Sequence, residues 1–457
     1  MSDYDAIVFG GGAPGEHCAA AIAARGLKVA VVERELVGGE CSYYACIPSK
    51  TLLRPGEAVH GALDVGSSAK VNVQEALKWR DFMVSNYSDK GQEKWLGDRG
   101  IALIRGSGRL AGTGVVEVDG VQHTAEHVVV ATGADAFVPP IPGLKDAEGV
   151  WGTREATSMK EIPQRLLVLG GGPAGVELAQ VVQRLGGQSV VVEGADHVIP
   201  HEAPALGQAL GAELLRDGIE LVLGTQVTGV RKEGDEFVLD VSKGDALRGD
   251  RLLVATGRRP RVQGIGLETV GITPDPHGLK VDEYLRAGER LWAIGDVNGI
   301  WPLTHVGEYE GDVVASNIAG EPQKANYEAV PRAVYTDPQA AAVGVAEDTY
   351  SATAALADVP KMATYSHSYA DSKGFLTLVS DGERLTGAYA LGPEAGEWLQ
   401  QATLAVRAHV PVEVLYDTIQ PFPSFSSVFD AALKSLRMAL AKLPLPQSPM
   451  DAQMARM

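Results

Sequence analysis

Cysteine is scarce in this chain: three residues in 457, at positions 18, 41 and 46. A small, odd number excludes a secreted scaffold held by paired disulfides. Basic residues are also few, 40 Lys and Arg against 58 Asp and Glu, for a formal charge of -18. Nucleic acid and anionic membranes both reward positive charge, so neither is expected as a partner. No apolar run reaches the roughly 18 residues of a membrane span. The opening MSDYDAIVFGGG carries an acidic residue where a secretory signal would carry positive charge. A cytoplasmic globular protein is expected, with room for two to four domains at about 150 residues each.

Glycine, by contrast, is abundant and placed in a pattern. The stretch DAIVFGGGAPGEHCAAAIAARGLKVAVVERE reads as buried strand, glycine turn, helix and second strand. Gly10, Gly12 and Gly15 form G-x-G-x-x-G at the turn, and Glu33 ends the second strand. The first glycine allows the tight turn, the second admits a pyrophosphate, and the third lets helix and sheet pack closely. The free N–H groups of the helix start face the phosphates, and the acidic residue accepts from a ribose. The unit recurs in LLVLGGGPAGVELAQVVQRLGGQSVVVE, with Gly170, Gly172, Gly175 and Glu193. Two complete units imply two dinucleotides bound at once. A carboxylate at position 193 suits a free 2′-hydroxyl, which favours NADH over NADPH; the position of Arg231 relative to it is not readable from sequence.

HVVVATGADAFVPPIPG at 127–143 and its echo DRLLVATGRRPR at 250–261 each bring a strand to an Ala-Thr-Gly exit. Residues 70–100 read as helical and 101–130 as short strands. A strand ending at Gly295-Asp296 precedes a long helix, and from about 331 the glycine fingerprints cease. VGGECSYYACIPSK places Cys41 and Cys46 with four residues between them. On their own they could be structural, metal-binding or a redox pair.

The ordered set GGGAPG, GGECSYYACIPSK, two ATG strands, GGGPAGVELA, AIGD and AVYTDPQAAAVG resembles the two-dinucleotide-domain flavoprotein disulfide reductases. That group contains dihydrolipoamide dehydrogenase, glutathione reductase and mercuric reductase, and the resemblance runs from residue 5 to about 440. It implies an α/β fold of two Rossmann-like domains and an α+β dimerisation domain. The FAD domain would comprise 1–145 and 260–328, the NAD(P) domain 146–259, the interface domain 329–445, and 446–457 a mobile tail. Gly10, Gly12, Gly15 and Glu33 would hold the ADP half of FAD, with Thr132-Gly133 near the flavin and Asp296 on the ribityl chain. Gly170, Gly172, Gly175, Glu193 and Gly257 would hold the nicotinamide coenzyme. Lys50 would sit by flavin N5, paired with Glu177, and a homodimer is implied.

Two ligands at C-x-x-x-x-C spacing are too few for zinc, so no metal site is expected. A static disulfide is unexpected in a reducing cytosol. The resemblance implies a redox pair, with Cys46 as the flavin-side thiolate and Cys41 as the outer, exchanging thiol. Cys18, among alanines, reads as core. His305 reads as structural, Tyr43 and Tyr44 as packing, and His17 and His60 as lacking partners.

One segment departs from the family pattern. Reductases of dithiols carry a C-terminal histidine, then proline, with a glutamate five residues after the histidine. In IQPFPSFSSVFDAALKSL, Phe422 and Ser427 occupy those two positions. Phenylalanine transfers no proton, and losing a general acid–base pair costs about 10² to 10⁴ in rate. The tail also has no cysteine pair, and no metal-binding domain precedes the first unit, so mercuric reductase is a poor match. The first expectation is therefore an FAD-dependent NAD(P)H oxidoreductase, passing electrons to the Cys41–Cys46 disulfide or directly to a small acceptor such as a quinone, dye or metal ion. A disulfide reductase for an unusual small substrate is the second, and a flavin redox sensor acting through a partner protein the third.

Overall fold

The computed structural model describes residues 2–359 and 374–441; the expectation of a mobile tail at 446–457 lies outside them. Strand β1 (Tyr4–Phe9), helix α1 (Ala13–Ala23) and strand β2 (Val29–Glu33) follow the expected order. Ile7 and Val8 are fully buried, as a parallel strand covered on both faces requires. Pro14 stands in the first turn of α1, where its missing N–H leaves nothing unsatisfied. Gly10 has φ +116°, and a Cβ there would lie 2.3 Å from the Ala131 carbonyl oxygen. A Cβ at Gly15 would lie 2.0 Å from the Gly10 oxygen, so α1 reaches its own turn only through glycine.

The second unit repeats this geometry. Strand Arg165–Leu169, helix Pro173–Arg184 and strand Gln188–Val192 enclose Gly170 at φ +107°, and a Cβ at Gly175 would again lie 2.0 Å from the first glycine's oxygen.

Each unit builds its own sheet. In the first, Leu291–Ala293, Val121–Val130, β1, β2 and Ala102–Arg105 lie side by side and parallel. The chain therefore leaves this sheet and returns to it more than 150 residues later, pairing with Val121–Val130 and bringing Gly295 beside Pro14 of α1. The second sheet is parallel in the order Glu220–Val222, Gln188–Val192, Arg165–Leu169, Arg251–Val254. A two-stranded link, Ala134–Ala136 with Arg258–Pro260, joins the two Ala-Thr-Gly exits. The C-terminal part is a five-stranded antiparallel sheet carrying helices on its apolar face, Val428–Leu440 among them.

The helical stretch at 70–100 is interrupted. Helices Val73–Met83 and Lys90–Gly97 are separated by Ser85, Asn86 and Tyr87 at φ 51°, 51° and 59°. Left-handed residues cannot continue a right-handed helix, and this turn aims Tyr87 at Tyr44. Among the described residues no helix is long and apolar enough to cross a membrane.

Candidate active site

Gly38 and Gly39 turn the chain into helix α2 (Gly39–Tyr43), which carries Cys41; helix α3 (Cys46–Asp64) then begins at Cys46 itself. The Cys46 thiol thus sits at a helix N-terminus, where a negative sulfur is favoured. Its pKa is held below the usual thiol range by a hydrogen bond from Cys41, then by the Thr304 hydroxyl and the Lys50 charge, against the cost of burial. The Thr304 Oγ1 lies 3.5 Å from Cys46 Sγ. Cys41 is pushed the opposite way by the same hydrogen bond and by burial. With both cysteines reduced, one proton therefore resides on Cys41, donated toward a Cys46 thiolate.

Lys50, one turn along α3, places Nζ 2.6 Å from Glu177 Oε2. Glu177 is only 3% exposed, and its other oxygen accepts the Tyr335 N–H at 2.9 Å. Burial pulls the Lys50 pKa down, and the Glu177 charge and hydrogen bond more than reverse this, so the ammonium persists. The Tyr335 ring adds a cation–π contact, 4.8 Å from Nζ.

Two clefts meet at the cysteines. One, of about 390 Å³, runs from Glu33 past Gly10, Gly12 and Thr132-Gly133 to Cys41, Cys46 and Asp296. The other, of about 2090 Å³, runs from Cys46, Lys50 and Glu177 past Gly170, Gly172 and Gly257 to Glu193. A Cβ at Gly12 or at Gly172 would meet nothing within 4 Å, so each helix start faces open space of the kind a pyrophosphate needs. Glu33 Oε2 accepts the Gly11 N–H at 2.8 Å and Glu193 Oε2 the Gly171 N–H at 2.7 Å. Each carboxylate thereby fixes its glycine turn and keeps lone pairs for ribose hydroxyls. The first cleft is thus lined by the residues expected to hold FAD, and the second by those expected to hold the nicotinamide coenzyme.

Several side chains differ from the sequence reading. His17 Nε2 lies 3.1 Å from Asp312 Oδ1, and His60 Nδ1 2.6 Å from Asp337 Oδ2, so both histidines have partners. Those partners come from helix packing and a remote loop, which leave no local sequence signal. Arg231 is exposed and paired with Asp240 and Glu233, away from Glu193. Asp296 faces the cleft and pairs with Arg258 at 2.9 Å, a residue inside the quoted ATGRRPR stretch. Cys18 is fully buried, and His305 Nε2 donates to the Pro331 carbonyl at 2.9 Å, a structural bond.

Tyr43 is buried, with its hydroxyl lacking a hydrogen-bond partner among the described residues. Tyr44 stacks on Tyr87 at 5.6 Å, with the Arg154 guanidinium 4.5 Å from its centroid. Arg154 also binds Glu35 at 2.9 Å and Glu40 at 2.8 Å, clamping the cysteine loop. Arg154 and Thr304 were missed in the sequence; Thr304 follows the quoted AIGD strand, whereas Arg154 stands in no motif. Phe422 is 66% exposed, and the Ser427 hydroxyl donates to the Pro421 carbonyl at 2.9 Å. Neither lines the clefts of its own chain. Among the described residues no group of three or more His, Cys, Asp or Glu is placed to hold a metal.

Comparison with known proteins agrees with this arrangement. The family described as "Pyridine nucleotide-disulphide oxidoreductase" matches residues 4–311, and its dimerisation domain matches 330–433. A dihydrolipoyl dehydrogenase from Thermus scotoductus is 34% identical over 455 residues, covering 95% of this chain and 98% of the relative. A mercuric reductase from Bacillus cereus is 31% identical over 463 residues, covering 96% and 73%. Among solved structures, the HOCl-induced flavoprotein disulfide reductase RclA from Escherichia coli superposes with a TM-score of 0.83 at 26% identity, covering 94% of this chain and 99% of that one. LpdA from Mycobacterium tuberculosis gives the same TM-score, 0.83, at 25% identity, with the same coverage of 94% and 99%. The family uses FAD and NAD(P)H, and its dimerisation domain supports a homodimer. The chain belongs to the pyridine nucleotide-disulphide oxidoreductase family: it is an NAD(P)H-dependent flavoprotein oxidoreductase with two dinucleotide-binding domains and a dimerisation domain.

Proposed function

We propose that this enzyme oxidises NADH through FAD and delivers electrons, by way of Cys41–Cys46 or directly, to a small acceptor that needs no imidazole: a quinone-like molecule, a dye or a metal ion. The observation that carries this reading is the pair Phe422 and Ser427 in the frame where dithiol reductases hold their histidine and glutamate. Bound FAD supplies a two-electron relay between nicotinamide and acceptor. Gly10, Gly12, Gly15, Glu33, Thr132, Gly133 and Asp296 hold it, within a domain comprising 1–145 and 260–328. Gly170, Gly172, Gly175, Glu193 and Gly257 hold NADH within 146–259, and 329–445 forms the interface between copies. Lys50, kept charged by Glu177, sets a positive charge in the second cleft beside Cys46. The acidic composition and three cysteines support a cytoplasmic setting.

Steady-state assays with NADH and NADPH against a quinone, a dye, lipoamide and oxidised glutathione test the proposal. Quinone or dye turnover should exceed lipoamide turnover by about 10² or more, and efficient lipoamide reduction by the unaltered enzyme would refute it. Cys41→Ser separates the two routes: disulfide turnover should vanish, and the fraction of quinone turnover that survives measures direct transfer.

Coenzyme choice has its own test. Removing the Glu193 carboxylate deletes two acceptors for the ribose and frees the Gly171 and Ala195 N–H groups it now holds. Glu193→Ala should raise KM for NADH about 10- to 100-fold, as expected for charged hydrogen bonds worth about 1.5–3 kcal/mol. The KM for NADPH should change much less. Equal losses with both coenzymes would show that Glu193 only braces the turn.

A further inference from the structure

We propose that Arg154 is a positioning residue for the Cys41–Cys46 pair: it holds the helix that carries Cys41 so that the two sulfurs stay within reach of each other as the pair opens and closes. This role rests on the redox-pair reading of the two cysteines and leaves the acceptor open.

The two sulfurs are not equally well anchored. Cys46 begins α3, a helix of 19 residues. Cys41 stands on α2, which has only five residues, too few to be stable unaided. Gly38 and Gly39, at φ 107° and 61°, lead into it. The Gly38 N–H bonds the Gly11 carbonyl at 2.7 Å, and Tyr43 is buried, so both ends are tied. Between them Glu40 and Cys41 face the clefts.

Arg154 grips α2 on that open side. Its Nε donates to Glu40 Oε1 at 2.8 Å, and a second nitrogen donates to the same oxygen. Its guanidinium also pairs with Glu35 at 2.9 Å and lies 4.5 Å from the centre of the Tyr44 ring. Thr157, one turn further on, donates its hydroxyl to the Tyr44 carbonyl at 3.0 Å. Helix Thr153–Thr157 therefore touches α2 in its first turn and again at its end.

That helix is itself fixed from two directions. The Trp151 N–H donates to the Leu252 carbonyl at 2.7 Å, and the Trp151 carbonyl accepts the Val254 N–H at 2.8 Å. Residue 151 thus borders the strand Arg251–Val254 of the second sheet. On the other side Arg80, fully buried, donates to the Thr157 carbonyl and, at 2.9 Å, to that of Met159. Carbonyls at a helix end need such donors, and these hold Arg154 on a rigid base.

Arg154 acts on the sulfurs through position. The charges that bear on them most are Lys50 and Glu177 at Cys46 and Glu308 at Cys41. The hydrogen bond from Cys41, first among the causes that keep Cys46 a thiolate, requires the sulfurs in contact. Closure requires the same contact. Cys41 gives its proton to water and attacks a disulfide RS–SR, forming Cys41–S–S–R and releasing RS⁻. The Cys46 thiolate then attacks the Cys41 sulfur, the Cys41–Cys46 bond forms, the bond to R breaks, and a second RS⁻ leaves. The dithiol loses two electrons and RS–SR gains them.

A neutral chromogenic disulfide, dithiodipyridine, tests this. Holoenzyme reduced with dithiothreitol and desalted without oxygen is mixed with a few equivalents, and release of thiopyridone is followed in time. The first release is bimolecular, whereas the second is a unimolecular closure that reads how often the sulfurs meet; Cys18, fully buried, stays silent. Arg154→Met and Glu40→Gln should each slow closure about tenfold or more, and Arg154→Lys should recover part of the loss. The double variant should be no slower than Arg154→Met alone, because both changes break one contact. The pH midpoint of the first release, set by the thiolate of the pair, should rise by about one unit in Arg154→Met as the Cys41 hydrogen bond weakens. Glu35→Gln removes a partner of the same guanidinium that is not on α2, and closure should stay within about twofold of the parent rate. Closure unchanged in Arg154→Met and Glu40→Gln, or slowed as much by Glu35→Gln, overturns the positioning role alone. Parent enzyme that never releases a second thiopyridone, with its flavin still reduced by NADH, overturns the redox-pair reading and the role of Arg154 with it.

Discussion

Glu177→Leu is expected to cost this enzyme about 3 kcal/mol of stability and about 10² in turnover, through the loss of one buried pair. Glu177 is almost fully enclosed and satisfies two donors, the Lys50 ammonium and the Tyr335 N–H. Removing it strands a cation and orphans a backbone amide at once. The figure belongs at the lower end for a broken buried pair, because the Lys50 side chain is 35% exposed to the cleft and water screens part of its charge. In thermal denaturation the change reads as a fall of roughly 6–12 °C in the midpoint of the domain concerned. Lys50→Met should destabilise comparably by stranding the carboxylate. Lys50→Met combined with Glu177→Leu should recover most of the stability, because neither charge is left unpaired, yet turnover should remain low. That split between stability and rate is the point of the experiment. If the double variant regains turnover with its stability, the pair only braces α3 against the helix Pro173–Arg184, and a positive charge beside Cys46 is not needed.

The parts of this enzyme legible in its sequence are those whose physics is local. Each glycine fingerprint encodes a turn in which the third glycine touches the first, five residues away, and the same 2.0 Å approach recurs in both copies. The acidic strand ends are local in the same sense, since each carboxylate bonds the glycine turn of its own unit. The Lys50–Glu177 pair spans 127 residues, and only the resemblance brought its members together. Contacts made by helix packing left no trace: His17 meets Asp312 across 295 residues and Cys46 meets Thr304 across 258. Arg154 reaches the cysteine loop because helix Thr153–Thr157 follows the two-stranded link between the halves, a placement that composition does not encode. The break at Ser85–Tyr87 was equally silent, because tyrosine rarely adopts a left-handed backbone; here Tyr87 does so and stacks on Tyr44.

Phe422→His combined with Ser427→Glu is expected to raise lipoamide turnover by about 10². The increase should follow deprotonation of an imidazole near pH 6.5, rising as pH increases through that value. Phe422 is mostly exposed, and Ser427 sits in the loop ahead of helix Val428–Leu440, so the exchange should change stability by no more than about 0.5 kcal/mol. Neither position lines its own chain's clefts, and both belong to the part matching the dimerisation domain. The new imidazole should therefore serve Cys41 of the second copy. Mixing parent chains with chains carrying Cys41→Ser, Phe422→His and Ser427→Glu provides a check, since only the hybrid dimer then sets an imidazole on one chain against Cys41 on the other, and it alone should gain. Phe422→His alone should gain less, because the glutamate orients the ring.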